Sequence, residues 1–204
     1  MSVKSKQLPP GQRFIKNFIY YAALGLPEVD IASYRLRIFG NVSKPQAFTY
    51  QQLLSLSDTV VEKDFHCVTG WSIADARWEG ASLSKLITQC RPLADTEWVL
   101  FHSLDGYTAP VTFQDAMEED SIVAFRLNGK ELTREMGYPA RPIIPKLYGW
   151  KSAKWLDGIE LLKDYRDGYW EERGYNERGN VWYEERFKSW GRHLPRSPVS
   201  SSNH

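Results

Sequence analysis

Phe65-His66-Cys67-Val68-Thr69-Gly70-Trp71-Ser72 sets a cysteine where a strand gives way to a loop. The run before it, Thr59 to His66, opens on Thr-Val-Val and reads as a strand. Beyond Cys67, the polar Thr69, Gly70 and Ser72 let the backbone turn tightly, and Trp71 supplies bulk. A thiol at that junction sits on a rigid element and faces a loop. The placement suits a soft-metal ligand or a nucleophile. Taken alone, the residue also reads as an inert core thiol.

Upstream, Tyr34 to Phe39 alternates and closes at Gly40-Asn41, predicting a half-buried strand and a turn. Phe48 to Leu56 is predicted helical, with Thr49 and Gln52 at capping-box spacing and Leu53, Leu54 and Leu56 on the buried side. After Arg77-Trp78-Glu79-Gly80 comes a short helix from Ser82 to Cys90, with a serine cap and Leu83, Leu86 and Ile87 on one face. Cys90, beside the Arg91-Pro92 stop, reads as a small buried hydrophobe. Trp98 to Ser103 is a strand, Asp105-Gly106 a turn, and Tyr107 to Val111 the antiparallel return. Thr112 to Met117 is a capped helix, and Ser121 to Leu127 a strand ending at Asn128-Gly129. Ile143-Ile144 and Ala153 to Leu162 are further strand candidates, while Pro139, Pro142 and Pro145 forbid a helix through Tyr138 to Lys146. Many short strands with a few short helices predict an α+β fold with a strongly β core.

At 204 residues the chain can bury one sizeable core. A net charge of +1 gives no field to attract nucleic acid or an anionic membrane, so neither is an expected partner. Cys67 and Cys90 are the only cysteines, too few for a disulfide framework and consistent with a reducing compartment. The polar N-terminus lacks an apolar leader, and the apolar run Phe18 to Leu26 is too short to span a bilayer. These features predict a soluble cytoplasmic protein. The expected organisation is a mobile arm over residues 1–12, one domain over 13–190 and a frayed tail over 191–204. The charged, aromatic stretch from Asp164 reads as a tail that still packs.

The sequence has no Walker A motif, no GxGxxG, no paired CxxC and no HExxH. His66 and Cys67 are adjacent on a strand and point to opposite faces, which argues against a shared zinc. A cysteine hydrolase built on Cys67 and His102 is conceivable, although nothing in the spacing specifies it. Arg141, with Pro139 and Pro142 on either side, has a restricted backbone that can aim its guanidinium at a phosphate. The loop from Gly149 to Lys154 adds backbone amides, the Ser152 hydroxyl and two ammonium groups, from Lys151 and Lys154. Together they suit a phosphorylated, planar ligand. In Phe14 to Tyr21, Asn17 and Tyr20 are candidate donors to such a ligand.

Phe65 to Ser72, then Arg77 to Gly80, Asp105-Gly106-Tyr107 and Gly137 to Leu162 together resemble the sulfite-oxidase fold of the molybdopterin oxidoreductases. The Pro9-Pro10-Gly11-Gln12 start and the Gly168 to Tyr175 and Glu184 to Phe187 stretches resemble its small, single-domain prokaryotic branch. The resemblance covers nearly the whole chain. It implies a mixed-sheet, barrel-like core, one molybdenum and one molybdopterin per chain, and oxygen-atom transfer on a small sulfur or nitrogen substrate. By the resemblance, Cys67 matches the thiolate that binds molybdenum, and Arg141 the arginine that holds the pterin phosphate. Ser152, Ala153 and Lys154 match the triplet that closes over the cofactor. Asn17, Tyr20 and Ser103 match further cofactor contacts, and Trp71 and Tyr107 would wall the substrate side, Tyr107 being counted catalytic.

Two departures stand out. The family has His or Asn five residues before the arginine, and this chain has Met136, a thioether that donates no hydrogen bond. Arginines that would hold sulfite directly after the cysteine are also absent, with Arg77 the first base, which argues against sulfite as substrate. No haem motif is present, so electrons are expected to pass to a separate protein or soluble carrier. The alternative reading is a non-catalytic binding or scaffold protein that keeps the fold and has lost the cofactor.

Overall fold

The computed structural model describes residues 7–188. In chain order the elements are β1 (Arg13–Phe14), β2 (Arg35–Gly40), β3 (Gln46–Thr49), α1 (Tyr50–Ser55), β4 (Thr59–His66), β5 (Trp71–Ser82) and α2 (Leu83–Gln89). They continue with β6 (Trp98–Ser103), β7 (Thr108–Thr112), α3 (Phe113–Ala116), β8 (Ile122–Leu127), β9 (Lys130–Glu131), β10 (Arg141–Ile143) and β11 (Leu156–Leu162). Short 3-10 turns lie at Gly149–Lys151 and Glu171–Arg173. One sheet runs β1-β5-β8-β10, with β4 also on β5 and β9 on β8; the other runs β3-β2-β11-β6-β7.

The expected α+β fold with mixed sheets forms. Strands β4 and β6 match their sequence-predicted bounds. All three helices carry the foreseen hydroxyl caps, from Thr49, Ser82 and Thr112. At α1 the capping box closes in both directions: Thr49 Oγ1 accepts from the Gln52 amide, and Gln52 Oε1 accepts from the Thr49 amide. The helix starts later than predicted because Gln46 to Thr49 first pair with β2.

Strand β8 shows how the core is built. Val123 and Phe125 pack into a cluster with the second sheet and α2, while Ile122 and Ala124 face a cluster holding Trp71, Trp78 and Met136. Alternation thus buries both of its faces, one against each layer.

The largest difference from expectation is β5, which extends over 12 residues where sequence reading saw a loop and a pre-helix segment. It pairs with β4 from Gly80 back to Ser72, making the two a long hairpin. A bulge opposite Asp64 lets Asp75 adopt φ +50, and the Asp64 side chain accepts from the Asp75 amide at 2.9 Å. The hairpin closes through Cys67. The Cys67 amide donates to Trp71 O at 2.8 Å, and the Gly70 amide to Cys67 O at 3.0 Å. Gly70 takes φ +91, open to glycine at little cost.

The N-terminal arm departs from expectation where it is described. Arg13 and Ile15 donate to Gly70 O and Ser72 O, so β1 runs parallel beside the start of β5. Gln12 is hydrogen-bonded to the same hairpin, at Cys67 O and Ser72 Oγ, and Pro10 O is held by Arg186. The tail expected over 191–204 lies outside the described residues. Among those described, no helix is long and apolar enough to cross a membrane.

Candidate cofactor site

A cavity of about 400 Å³ opens where the Cys67 turn, the Met136 to Trp155 stretch and residues 18–23 meet. Its polar wall comes from Cys67, Thr69, Asp105, Tyr107, Arg141, Ser152 and Lys154; most of the remainder is aromatic or aliphatic.

Arg141 defines the charged end. It stands on β10 and is only 3 % exposed. Its Nε donates to Ser152 Oγ at 2.9 Å, Nη1 to Met136 O at 2.9 Å and Nη2 to Ser152 O at 3.2 Å. The Phe65 and Trp78 rings lie 5.5 Å from its carbon. Among the described residues no carboxylate pairs with it. Burial pushes its pKa down to about 9. A buried cation of this kind is costly until it meets an anion.

Lys154 is the second cation of the wall. Its Nζ donates to Tyr21 O at 2.7 Å, and burial, then the charge of Arg141, lowers its pKa to about 8. Asp105 faces it, its own pKa raised by burial. The Tyr107 hydroxyl donates to Trp150 O at 2.5 Å. Burial, then Glu171, holds that phenol far above the usual tyrosine range. Cys67 is half-buried, with Sγ 3.2 Å from Thr69 Oγ1.

Several sequence candidates lie elsewhere. Asn17 is exposed and off the cavity wall, although its neighbours Phe18 to Ala23, Tyr20 among them, line it. Ser103 is buried and off the cavity wall, its hydroxyl without a partner among the described residues. Ala153 turns into the core cluster. Lys151 points away from the cavity: its Nζ is buried against Glu171 Oε1 and Pro110 O, both at 2.7 Å. The loop therefore supplies one ammonium group, not two. His102 pairs with Glu160 at 2.8 Å on the second sheet and stacks near Phe39, away from the Cys67 wall. The Cys67–His102 hydrolase has no geometric basis. Sequence reasoning missed Trp155, Trp170 and Tyr175 as wall residues. Trp155 takes φ +53, costly for a bulky side chain. It is held there by its indole donating to Arg134 O at 2.8 Å.

Residues 23–170 match the family described as the oxidoreductase molybdopterin binding domain. The chain belongs to this molybdopterin-binding oxidoreductase family. It is 33 % identical over 187 residues to an uncharacterized oxidoreductase of Bacillus subtilis, YuiH, covering 91 % of this chain and 94 % of that one. Arabidopsis thaliana sulfite oxidase is 27 % identical over 186 residues, covering 74 % of this chain and 47 % of the plant enzyme. The sulfane dehydrogenase SoxCD of Paracoccus pantotrophus superposes with a TM-score of 0.62 at 24 % identity, over 69 % of this chain and 41 % of the other. That likeness shows a shared fold.

The cavity of this family member fits a molybdopterin by its own chemistry. An anion-seeking guanidinium and an ammonium suit the pterin phosphate. A thiol on the turn suits a soft metal. Flat aromatic walls suit a fused ring system. Met136 presents no donor side chain, and its carbonyl instead fixes Arg141.

Proposed function

We propose that this oxidoreductase holds one molybdenum through the Cys67 thiolate and moves an oxygen atom to or from a small, uncharged sulfur or nitrogen compound. The observation that carries the reading is the buried, carboxylate-free Arg141 guanidinium on the wall of the cavity that Cys67 also lines. When bound, the metal and its pterin dithiolene supply the two-electron redox chemistry. Among the described residues no group of three His, Cys, Asp or Glu gathers. A metal bound here would be held by the Cys67 thiolate together with the pterin dithiolene.

The chain's own residues divide the remaining work. Arg141 and Lys154 hold the phosphate, and Ser152 fixes the plane of the Arg141 guanidinium. Trp71 and Tyr107 wall the substrate side, and the surrounding aromatics exclude water. Among the described residues, Arg141 and Lys154 are the cations on the wall, and both are assigned to the cofactor. The described wall then offers no arginine for a sulfite dianion, so uncharged oxides are favoured. In the reducing direction, such an oxide takes two electrons and two protons and releases one water; oxidation reverses this. A separate protein or soluble carrier in the cytoplasm exchanges the electrons.

The test uses loaded protein with a reduced viologen dye and dimethyl sulfoxide, beside sulfite with ferricyanide. Sulfoxide turnover that is lost in Cys67→Ser is expected. Faster sulfite oxidation than sulfoxide reduction would overturn the substrate class. A second reading, a binding protein without metal, is favoured by one feature, the Met136 thioether on the cavity wall. Metal content decides between the two.

A further inference from the structure

We propose that Gln12 is a positioning residue for Cys67, the middle of a hydrogen-bonded brace that ties both ends of the described chain to the turn carrying the thiol. The inference rests on the reading of Cys67 as the metal's protein ligand.

Gln12 Nε2 donates to Cys67 O at 3.1 Å, and Gln12 Oε1 accepts from Ser72 Oγ at 3.0 Å. Ser72 is fully buried, and its Oγ lies 2.8 Å from Nδ1 of His66, itself 4 % exposed. A serine has one proton to give, and here it goes to Gln12. His66 Nδ1 is therefore the donor to Ser72. The direction of the whole chain is fixed, from His66 through Ser72 and Gln12 to the Cys67 carbonyl. The same order sets the amide, with its oxygen toward Ser72 and its nitrogen toward Cys67.

Three further carbonyls in and beside the turn, of Val68, Gly70 and Ser72, are also held from outside the hairpin. Arg186 Nη1 donates to Val68 O. The Arg13 and Ile15 amides take Gly70 O at 3.0 Å and Ser72 O at 2.9 Å. Arg186 Nη2 also donates to Pro10 O at 3.2 Å, and its guanidinium lies over the Tyr148 ring. Close approach makes this possible. A Cβ on Gly11, which has φ +66, would lie 2.7 Å from Arg186 Nη2, and one on Gly70 would lie 2.9 Å from Gly11 O.

A hairpin turn held only by its own two backbone hydrogen bonds opens readily. A metal-binding sulfur needs its Cα–Cβ direction fixed to a fraction of an ångström. Fixing the Cys67 peptide plane from Gln12, while Arg186 fixes the next one, supplies that. Sequence alone could not place Gln12 here, since the contact spans 55 positions.

The test compares wild type, Gln12→Met and Gln12→Glu. The methionine keeps the length and removes both hydrogen bonds; the glutamate keeps the Ser72 acceptor and removes the donor to Cys67. Ser72→Ala, which releases the amide, is the second route should either variant fold poorly. Amide hydrogen exchange is read at Cys67 and Gly70 in metal-free protein. The Mo(V) paramagnetic resonance g-values and the kcat and KM for dimethyl sulfoxide are read in loaded protein. We expect exchange at the turn to rise about tenfold in Gln12→Met, with global melting near wild type, shifted g-values, and a lower kcat at unchanged KM. Wild-type g-values and kcat would overturn the positioning role even if exchange rises, because a merely structural brace would do no more. Wild-type exchange in Gln12→Met overturns the brace itself. A wild-type protein that takes up no metal overturns instead the Cys67 reading, a separate failure.

Discussion

Arg141 and Ser152 are joined twice: the guanidinium Nε donates to the Ser152 hydroxyl at 2.9 Å, and Nη2 donates to its carbonyl at 3.2 Å. The hydroxyl passes its own proton to Pro142 O at 2.5 Å. With Nη1 committed to Met136 O, three of the five guanidinium N–H groups fix the plane, and two remain for an anion. Arg141→Lys keeps the charge but loses the fork, so pterin retained per chain should fall severalfold; Arg141→Ala should retain almost none. Ser152→Ala should lie between these, because the Arg141 plane loosens. Pterin fluorescence after denaturation measures all three.

Lys154 gives a pH dependence. Its folded pKa of about 8 lies below the ordinary lysine value of 10.5. The metal-free folded chain therefore binds fewer protons than the unfolded chain between those values. The destabilisation due to this group is full below pH 8, shrinks as pH rises toward 10.5 and is gone above it. Lys154→Met should make the metal-free protein more stable than wild type at pH 7, with the advantage vanishing by about pH 10.5. Denaturant titrations of both proteins across that window test the sign.

The Lys151–Glu171 pair is a structural counterpart to the site. Its side chains are 1 % and 0 % exposed, Nζ and Oε1 are 2.7 Å apart, and the same oxygen accepts from the Trp150 indole at 2.8 Å. Glu171→Gln leaves the ammonium uncompensated and should cost about 3–5 kcal/mol of stability. The double variant Lys151→Met, Glu171→Leu should recover much of that loss. Chemical denaturation of the single and double variants measures it.

What could be read from the sequence follows from how local its cause is. Caps at Thr49, Ser82 and Thr112 act within three residues, and β4 and β6 are short runs rich in β-branched or apolar residues, so these were legible. The FHCVTGWS stretch and the loops around Arg141 and Ser152 were legible as a pattern of residue types. Strand β5 was not. It is buried at both ends, exposed at Ala74 and Asp75, and crossed by a bulge, so no simple period survives. Lys151 looked like a cavity ammonium because its partner Glu171 lies twenty positions away. The anchoring of Gln12 and the off-wall positions of Asn17, Ser103 and Ala153 depend on tertiary packing, which alternation and composition do not encode.

Residues 18–23 cover one side of the cavity, secured by few polar contacts. Phe18 packs against Phe65, Trp71 and Trp78 at 5.4–6.2 Å. Lys154 holds Tyr21 O, and Arg134 holds Leu26 O at 2.6 Å and Pro27 O at 3.0 Å. Arg134→Ala should lower the local opening free energy of this segment by about 1 kcal/mol with little change in global stability. Limited proteolysis between Ile19 and Leu26 should quicken severalfold, and unchanged cleavage would show that Arg134 does not secure the segment.

The most direct measurement is molybdenum and pterin per chain, on wild type and Cys67→Ser expressed in a host that makes the cofactor. About one of each in wild type, with molybdenum lost and the fold kept in Cys67→Ser, is the expected result. A Cys67→Ser protein that retains its molybdenum, or a wild type that carries neither metal nor pterin, would contradict it.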